Sequence, residues 1–362
     1  MKTTLDYPLL QSSVSPVIGW DVGGAHLKAV RMDAMGQLAV SLVYCPLWRG
    51  LTVLSEAMDQ ALNEFGVAPN GHKHYLTMTG ELADIFPNRL NGVKQIAEWV
   101  QEKLAEPVQF YAGYQHWSTL PITPEKAPRI ASMNWLASVE FLAKKVSNAL
   151  FIDIGSTTTD LVLICNGKPK IIGFSDAVRL QTDELIYTGV VRTPLMALAQ
   201  KIRYFDVPIN LAAEYFATTA DVYTLTGDLP QSEYTADTAD GADKSPTACA
   251  RRIARMIGRD ADEAPLSDWQ TLAQVFKALQ LQQIKQAVVR HLDSCPDGQN
   301  YTLLGAGVGD FLLPGLAQQL NLAYLSVSDF MPTEQQASRA AKRMASVCFP
   351  AYAVASLGRK HA

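Results

Sequence analysis

Two short stretches of this 362-residue chain decide its fold: residues 19–28 read GWDVGGAHLK, and residues 153–160 read DIGSTTTD. Each ends an apolar β-rich run and places glycine just after an acidic residue. Glycine adopts positive φ without steric cost, so the pattern predicts a strand that turns into a tight hairpin. At an offset of 132 residues, Asp153 falls on Asp21 and Asp160 falls on Lys28. This internal repeat predicts two related lobes.

The segments outward from each hairpin alternate between strand and helix patterns. Three β-rich runs occupy 17–47, and apolar residues then recur at helical spacing between further strands, in the order βββαβαβα. The strand pattern begins again at residue 149. We therefore predict an α/β fold with a first lobe over 15–148 and a second over 149–331.

The second lobe carries an insertion at about residues 205–263, which is rich in Asp, Thr and Ala. Within it, residues 232–246 contain almost no apolar side chains, which predicts a loop inside a mostly helical insertion. Helical patterns also cover residues 130–146 in the first lobe and 332–357 at the end of the chain. Proline disrupts helices, so we expect Pro350 to kink or break the last of these.

Composition excludes several classes of protein. The net charge of −4 supplies no basic surplus for binding nucleic acid, and no stretch has 18 apolar residues for a membrane span. Five scattered cysteines without a C-x-x-C pair indicate reduced thiols rather than a zinc site. We expect a cytoplasmic enzyme with a small-molecule partner, without nucleic acid or membrane; a homodimer is compatible with this composition.

The two hairpin turns are candidate phosphate sites. Backbone N–H groups exposed by glycine form a nest for phosphate oxygens, and an Asp at a strand end can hold Mg²⁺. We assign metal binding to Asp21 and Asp153, and phosphate contact to Lys28 as a point charge. The remaining predicted binding residues of these turns are Gly23, Gly24, Gly155, Ser156, Thr157, Thr158 and Thr159. The alternative for each turn is a plain β-hairpin.

Two further features are weaker. Residues 303–310 read LLGAGVGD, in which Gly305 and Gly307 lie between a strand and a helix, either as a nucleoside-binding turn or merely as a tight one. Arg179 and Arg192 follow the second hairpin, and either could bind an anion bidentately or be solvated or ion-paired.

Together, the repeated acidic hairpins and the glycine turn resemble the sugar kinase, Hsp70 and actin superfamily over residues 17–357. The resemblance implies two RNase H-like lobes with a phosphate-bearing ligand and Mg²⁺ in a central cleft between them. It also implies that the C-terminal helix, 332–360, returns to the first lobe.

Within that superfamily, DIGSTTTD is similar to the hydantoinase and oxoprolinase branch. The runs MTGELAD (78–84), NWLA (134–137), ELIYTGVVRTP (184–194) and FPAYAVA (349–355) resemble a group of short proteins linked to tetrahydromethanopterin-dependent one-carbon metabolism. That group includes the archaeal condensing enzyme of methanofuran biosynthesis. The resemblance implies a transferase that joins an aminomethylfuran-methyl diphosphate to the phenol of a glutamyltyramine or tyrosine acceptor and releases diphosphate. Under this hypothesis Arg192 binds the anion and Lys28 contacts the phosphates. Asp160 either accepts the phenol proton or only orients the threonine run or a metal-bound water.

Two alternatives remain open. The phosphate motifs equally fit an ATP-dependent small-molecule kinase, for which ATP would be a cofactor beside Mg²⁺ and Asp84 is the nearest candidate base. They also fit a non-catalytic nucleotide-binding regulatory protein, because fold alone does not determine function.

Overall fold

The computed structural model describes residues 15–114, 116–295, 300–332 and 336–361. Fourteen strands occur in this part of the chain: β1 Val17–Val22, β2 His26–Met32, β3 Leu38–Tyr44, β4 Lys73–Met78, β5 Val108–Tyr111, β6 Trp117–Ser118, β7 Ala149–Ile154, β8 Thr159–Cys165, β9 Lys168–Lys170, β10 Leu185–Ile186, β11 Lys201–Tyr204, β12 Val207–Asn210, β13 Thr302–Ala306 and β14 Ala323–Ser326.

The same part of the chain contains eleven α-helices: α1 Thr52–Phe65, α2 Arg89–Leu104, α3 Ala127–Ile130, α4 Asn134–Ala143, α5 Asp176–Gln181, α6 Thr219–Thr226, α7 Pro246–Arg255, α8 Leu266–Asp293, α9 Leu313–Gln319, α10 Arg339–Val347 and α11 Phe349–His361. None of the described helices combines the length and apolar character needed to cross a membrane.

Two sheets with corresponding central strands, β2-β1-β4-β5 and β8-β7-β13-β14, form the framework. The first runs β3-β2-β1-β4-β5-β6; the second runs β10-β8-β7-β13-β14, with β9 also paired to β8. In each sheet an antiparallel meander joins parallel strands added on its other side. This repeated arrangement confirms the predicted α/β fold of two RNase H-like lobes.

The C-terminal helices tie the sheets together. Residues 332–357 are not one helix: α10 ends at Val347 and α11 begins at Phe349. Helix α11 packs on β1, β2 and β4 of the first sheet. A Cβ at Gly19 would lie 2.1 Å from the carbonyl oxygen of Ala351, so this close approach of α11 to β1 requires glycine.

The first lobe differs from expectation where one helix was predicted over 130–146. The structure has α3 and α4 instead, and Ser132 lies between them with a φ of 54°. Left-handed backbone cannot continue a right-handed helix, so the chain turns sharply at this serine. The turn places the start of α4 beside the other lobe.

The insertion also differs from the prediction of a mostly helical segment over 205–263. The β11–β12 hairpin lies at its start. Its helices α6 and α7 pack on α8, which begins after residue 263. The polar loop within it is not freely exposed. Tyr234 and Ala236 are only 3% and 5% exposed and belong to the main apolar core, so the loop is anchored to that core.

Candidate active site

The predicted cleft lies between the lobes and has a volume of about 390 Å³. The β1–β2 turn and the β7–β8 turn both reach it, because they occupy equivalent places in the two sheets. The first lobe also contributes the loop after β4 and the start of α4, and the second contributes α5 and the segment after β10. The residues of the two turns that line the cleft are Asp21, Gly23, Gly24, Ala25, His26, Lys28, Gly155, Ser156, Thr157, Thr158 and Asp160.

The first turn places a carboxylate beside an ammonium group. Asp21 pairs with Lys28 across β1 and β2, and Oδ2 of Asp21 lies 3.4 Å from Nζ of Lys28. The other oxygen, Oδ1, is buried and has no hydrogen-bond partner among the described residues. Burial raises the pKa of Asp21, although Lys28 opposes this shift. The first turn therefore offers a carboxylate oxygen that is free to bind a ligand.

The second turn brings two carboxyl groups opposite each other. Asp153 pairs with Asp160 across β7 and β8, the position at which the first turn has Asp21 and Lys28. Burial raises the pKa of Asp153 to about 7; Lys28 opposes this, and Asp160, Asp21 and Asp310 add to it. Burial lowers the pKa of Lys28, but Asp21 and Asp153 outweigh it, so the net shift is upward. The ammonium group thus balances charge from both turns.

Asp160 has a fixed partner of its own. Its Oδ1 accepts a hydrogen bond of 2.8 Å from Arg179, whose guanidinium also donates to the carbonyl of Glu184 and stacks on Trp135 at 3.9 Å. Burial raises the pKa of Asp160, while Arg179 lowers it. Arg179 is therefore a structural ion-pair partner rather than a free anion-binding group.

The backbone of both turns presents unused donors. Between described residues, the N–H groups of Gly24, Ser156, Thr157 and Thr158 donate to no protein acceptor. The second turn is held by Gly189, where an added Cβ would lie 2.5 Å from the nitrogen of Thr157. Successive N–H groups that lack protein acceptors form an anion-binding concavity.

Thr159 does not contribute to this concavity. Its side chain is buried, and its hydroxyl donates to the carbonyl oxygen of Thr188 at 2.6 Å. The neighbouring Ser156, Thr157 and Thr158 do line the cleft. Three residues of this run thus face the cleft, and the fourth, Thr159, supports the segment after β10.

The glycines of the 303–310 motif lie outside the cleft lining. Gly307 has a φ of 90°, and its N–H donates to the carbonyl of Ser346. A Cβ at Gly305 would lie 2.6 Å from the hydroxyl of Tyr324. Packing therefore accounts for both glycines, and the Gly307 N–H is unavailable to a phosphate.

Arg192 supplies a cation at the cleft. Its guanidinium lies 5.0 Å from the ring of Trp48 in the first lobe. Within the part of the chain that the structure describes, it forms no ion pair. Burial and the charges of Lys28, Arg192 and Lys244 lower the pKa of His26 to about 3. His26 is therefore neutral, and Arg192 is the free cation of this wall.

The residues present fit a Mg²⁺ ion that arrives with a phosphate, not one held by protein alone. No group of three or more His, Cys, Asp or Glu side chains among the described residues could hold a metal. Asp21, however, has a buried oxygen without a partner. Mg²⁺ commonly takes one or two carboxylates and completes its shell with water and substrate phosphates.

Several residues that line the cleft, from both lobes, were not predicted from the sequence. Ser132, Trp135, Asp176 and Tyr187 line the cleft, as does Asp84, which was considered only for a kinase. Asp176 pairs with Arg89 of the other lobe. No feature of the sequence indicates Ser132, because a serine with positive φ cannot be recognised without its tertiary context.

The fold and the paired acidic turns define a two-lobed α/β protein with a cleft between its lobes. A nucleotide-free acetone carboxylase has a similar fold, with a TM-score of 0.60 and 10% identity over 94% of this chain and 70% of that chain. Residues 73–337 match the Hydantoinase/oxoprolinase family, and the chain belongs to that family.

Two curated relatives have the same name, (4-{4-[2-(gamma-L-glutamylamino)ethyl]phenoxymethyl}furan-2-yl)methanamine synthase. The protein from Methanocaldococcus jannaschii is 30% identical over 68% of this chain and 72% of its own length. The protein from Methanococcus vannielii is 34% identical over 34% of this chain and 56% of its own length. Both names denote enzymes, which supports the expectation that this chain is one.

Proposed function

We propose that this protein is a transferase that forms an aryl ether between a furan methylene group and a phenol, with diphosphate as the leaving group. The product named for the relatives contains a phenoxymethyl-furan linkage. The donor is an aminomethylfuran-methyl diphosphate. The acceptor is the phenol of a glutamyltyramine, or of a tyrosine-bearing molecule.

The single observation that carries this proposal is the meeting of two acidic turns around one ammonium group. Asp21 and Asp153 both act on Lys28, and the turns beside them present unused backbone donors. Such a site matches a diphosphate with its cation: N–H donors for the oxygens, and carboxylate for the metal. Arg192 extends the binding surface, because a guanidinium can contact phosphate bidentately.

The reaction breaks the bond between the furan methylene carbon and the phosphate oxygen, and the electron pair leaves with diphosphate. The phenolic oxygen then bonds to that carbon and loses its proton. Positive charge on the methylene is delocalised into the furan ring, so the protein mainly has to position both substrates and stabilise the departing charge. Bound Mg²⁺ would neutralise part of the negative charge that builds on the leaving group.

The protein itself stabilises the departing diphosphate through Lys28, Arg192 and the N–H groups of the two turns. These groups are fixed before the reaction begins: the second turn is held by Gly189, and Lys28 is held by Asp21. Fixed donors in a site with little water stabilise developing charge without the cost of reorganisation. Asp160, held by Arg179, positions the second turn rather than titrating freely.

Product analysis tests the proposal. The purified protein is incubated with Mg²⁺, the furanmethyl diphosphate and tyramine or γ-glutamyltyramine, and the mixture is analysed by mass spectrometry and for released diphosphate. We expect the ether and diphosphate in equal amounts, with no dependence on ATP. Formation of ADP and a phosphorylated acceptor from ATP would instead establish the kinase alternative. Tight nucleotide binding without any covalent product would establish a regulatory protein.

A further inference from the structure

The turn between α3 and α4 presents a serine hydroxyl to the cleft. Ser132 is only 4% exposed, lines the cleft, and has a φ of 54°. For a residue with a Cβ this left-handed backbone is uncommon, and such outliers concentrate at functional sites. Ala131, with a ψ of 128°, ends α3, and the left-handed turn at Ser132 then leads to Asn134 and Trp135, which line the same cleft.

A buried carboxyl group lies directly behind this hydroxyl. Ser132 Oγ donates a hydrogen bond of 2.7 Å to Oε1 of Glu81, which is 1% exposed, and also lies 3.4 Å from Oδ2 of Asp176, the oxygen that Arg89 binds. The second oxygen, Oε2, is buried and has no partner among the described residues. Gly92 fixes this arrangement, because a Cβ there would lie 2.5 Å from the carbonyl oxygen of Glu81. Glu81 therefore reaches the cleft only through Ser132.

The charges around Glu81 leave its carboxylate poorly compensated. Glu81 forms no ion pair with any residue that the structure describes: Arg89 lowers its pKa and Asp176 raises it, but Arg89 is itself paired with Asp176. Burial is the largest influence, and it raises the pKa of Glu81 to about 7. A carboxylate of this strength exchanges protons near neutral pH, which suits general base catalysis.

We propose that Ser132 and Glu81 form a proton relay that accepts the proton of the phenolic acceptor. This inference rests on the proposed function and names a part of its chemistry. As the phenolic oxygen bonds to the methylene carbon, its proton passes to Oγ of Ser132, and the original hydroxyl proton of Ser132 passes to Glu81. Glu81 ends neutral and later returns its proton to water. Ser132 is the catalytic residue, and Glu81 acts through it.

The relay fits proton acceptance better than Asp160 does. Arg179 donates to the carboxylate of Asp160 at 2.8 Å, and protonation would break this buried ion pair. Protonation of Glu81, in contrast, removes an uncompensated buried charge. Asp160 therefore stabilises the second turn, and Glu81 takes up the proton.

A comparison of acceptors tests the relay. The chain variants are Ser132→Ala and Glu81→Gln, with Ser138→Ala as a matched control, since Ser138 is a buried serine of α4 whose hydroxyl donates to Asn134. Each is assayed for diphosphate release with tyramine and with 3-nitrotyramine, at a pH where the nitro group, which lowers the phenol pKa well below the ordinary value of about 10, leaves that phenol ionised. We expect kcat with tyramine to fall by about 10²-fold or more in both relay variants. With the ionised acceptor the loss shrinks to less than about threefold, because no proton has to be removed.

The pH profile supplies an independent readout. A base must be deprotonated to act, so kcat of the wild-type protein with tyramine should rise through an apparent pKa near 7. In Glu81→Gln that rise should be absent. Asp153 also has a pKa of about 7. If kcat of Glu81→Gln still rises through this pH, the rise is due to Asp153, and the relay is overturned.

The controls separate failure of the relay from failure of the proposed function. Equal losses with both acceptors, or no loss in either variant, would overturn the relay while the wild-type reaction stands. Absence of diphosphate release by wild-type protein with every acceptor would overturn both. Circular dichroism and diphosphate affinity confirm that each variant is folded; if Glu81→Gln fails to fold, Ser132→Ala alone decides.

Discussion

Lys28 and Asp160 occupy the same place in two equivalent hairpins, one opposite Asp21 and the other opposite Asp153. The two hairpins thus share their geometry but differ at this position, where one has an ammonium group and the other a carboxyl group. Lys28 therefore offsets the negative charge of Asp21 and Asp153 beside the cleft.

The first prediction concerns the charge balance at this cleft. Lys28→Met should weaken diphosphate binding by at least about tenfold and destabilise the fold by about 3 kcal/mol, because it leaves the buried Asp21 carboxylate without its partner. Isothermal titration calorimetry and urea unfolding measure the two effects. Adding Asp21→Asn to the variant should restore most of the lost stability but not the affinity. If the double variant is no more stable than Lys28→Met, the ion pair does not balance this charge.

The second prediction concerns Asp153. Asp153 lies just behind the cleft lining and acts on Lys28, so Asp153→Asn should lower kcat for diphosphate release by about 10²-fold or more and should leave the protein folded. Asp206→Asn is the control, since Asp206 is exposed in the β11–β12 turn, away from both phosphate turns. Full activity of Asp153→Asn would contradict the assignment of this residue to the active site.

Arg192 leads to a third prediction. Arg192→Leu should raise KM for the diphosphate donor by about tenfold or more, with a smaller effect on the acceptor, because it removes the unpaired guanidinium of the cleft. Arg192→Lys should recover only part of the affinity, since an ammonium cannot contact phosphate bidentately. Arg203→Leu, on the exposed β11–β12 hairpin, should have no effect. An unchanged donor KM in Arg192→Leu would remove Arg192 from the binding surface.

How far the sequence predicts this site depends on how local each feature is. The acidic hairpins are visible because glycine and strand alternation are local signals. The 303–310 glycines mislead, because the carbonyl of Ser346, far away in the chain, takes the N–H of Gly307. Ser132 and Glu81 are 51 residues apart in sequence, and nothing in either neighbourhood indicates their hydrogen bond. Features fixed by tertiary contact were therefore the ones missed.

The fourth prediction uses the tight packing over the second turn. Gly189→Ala should reduce activity strongly and lower the melting temperature, because its Cβ would lie 2.5 Å from backbone atoms of Ser156 and Thr157. Gly315→Ala is the matched control: it lies in α9 with open space around it. Since alanine favours helix over glycine, this control should stabilise the protein by about 0.5–1 kcal/mol. Normal activity of Gly189→Ala would show that the turn need not be held rigidly.

The fifth prediction concerns the pH dependence of stability. Glu81 has a pKa of about 7 in the folded protein, above its ordinary value of 4.5, so the native state binds more protons than the unfolded state between these values. The free energy of unfolding should therefore fall as pH rises from about 4.5 to 7, by roughly 3 kcal/mol for this group. Glu81→Gln should lack this component, so its stability relative to wild type should increase over the same range. Parallel pH profiles for the two proteins, measured by urea unfolding, would contradict the raised pKa.

The most direct test of the central claim is a crystal structure of the protein with Mg²⁺ and diphosphate. We predict that the diphosphate lies between the two turns, with its oxygens accepting from backbone N–H groups of Gly24 and of Ser156 to Thr158, and with the metal ion on the carboxylate of Asp21. A diphosphate bound to one lobe alone, or outside the cleft, would contradict the account.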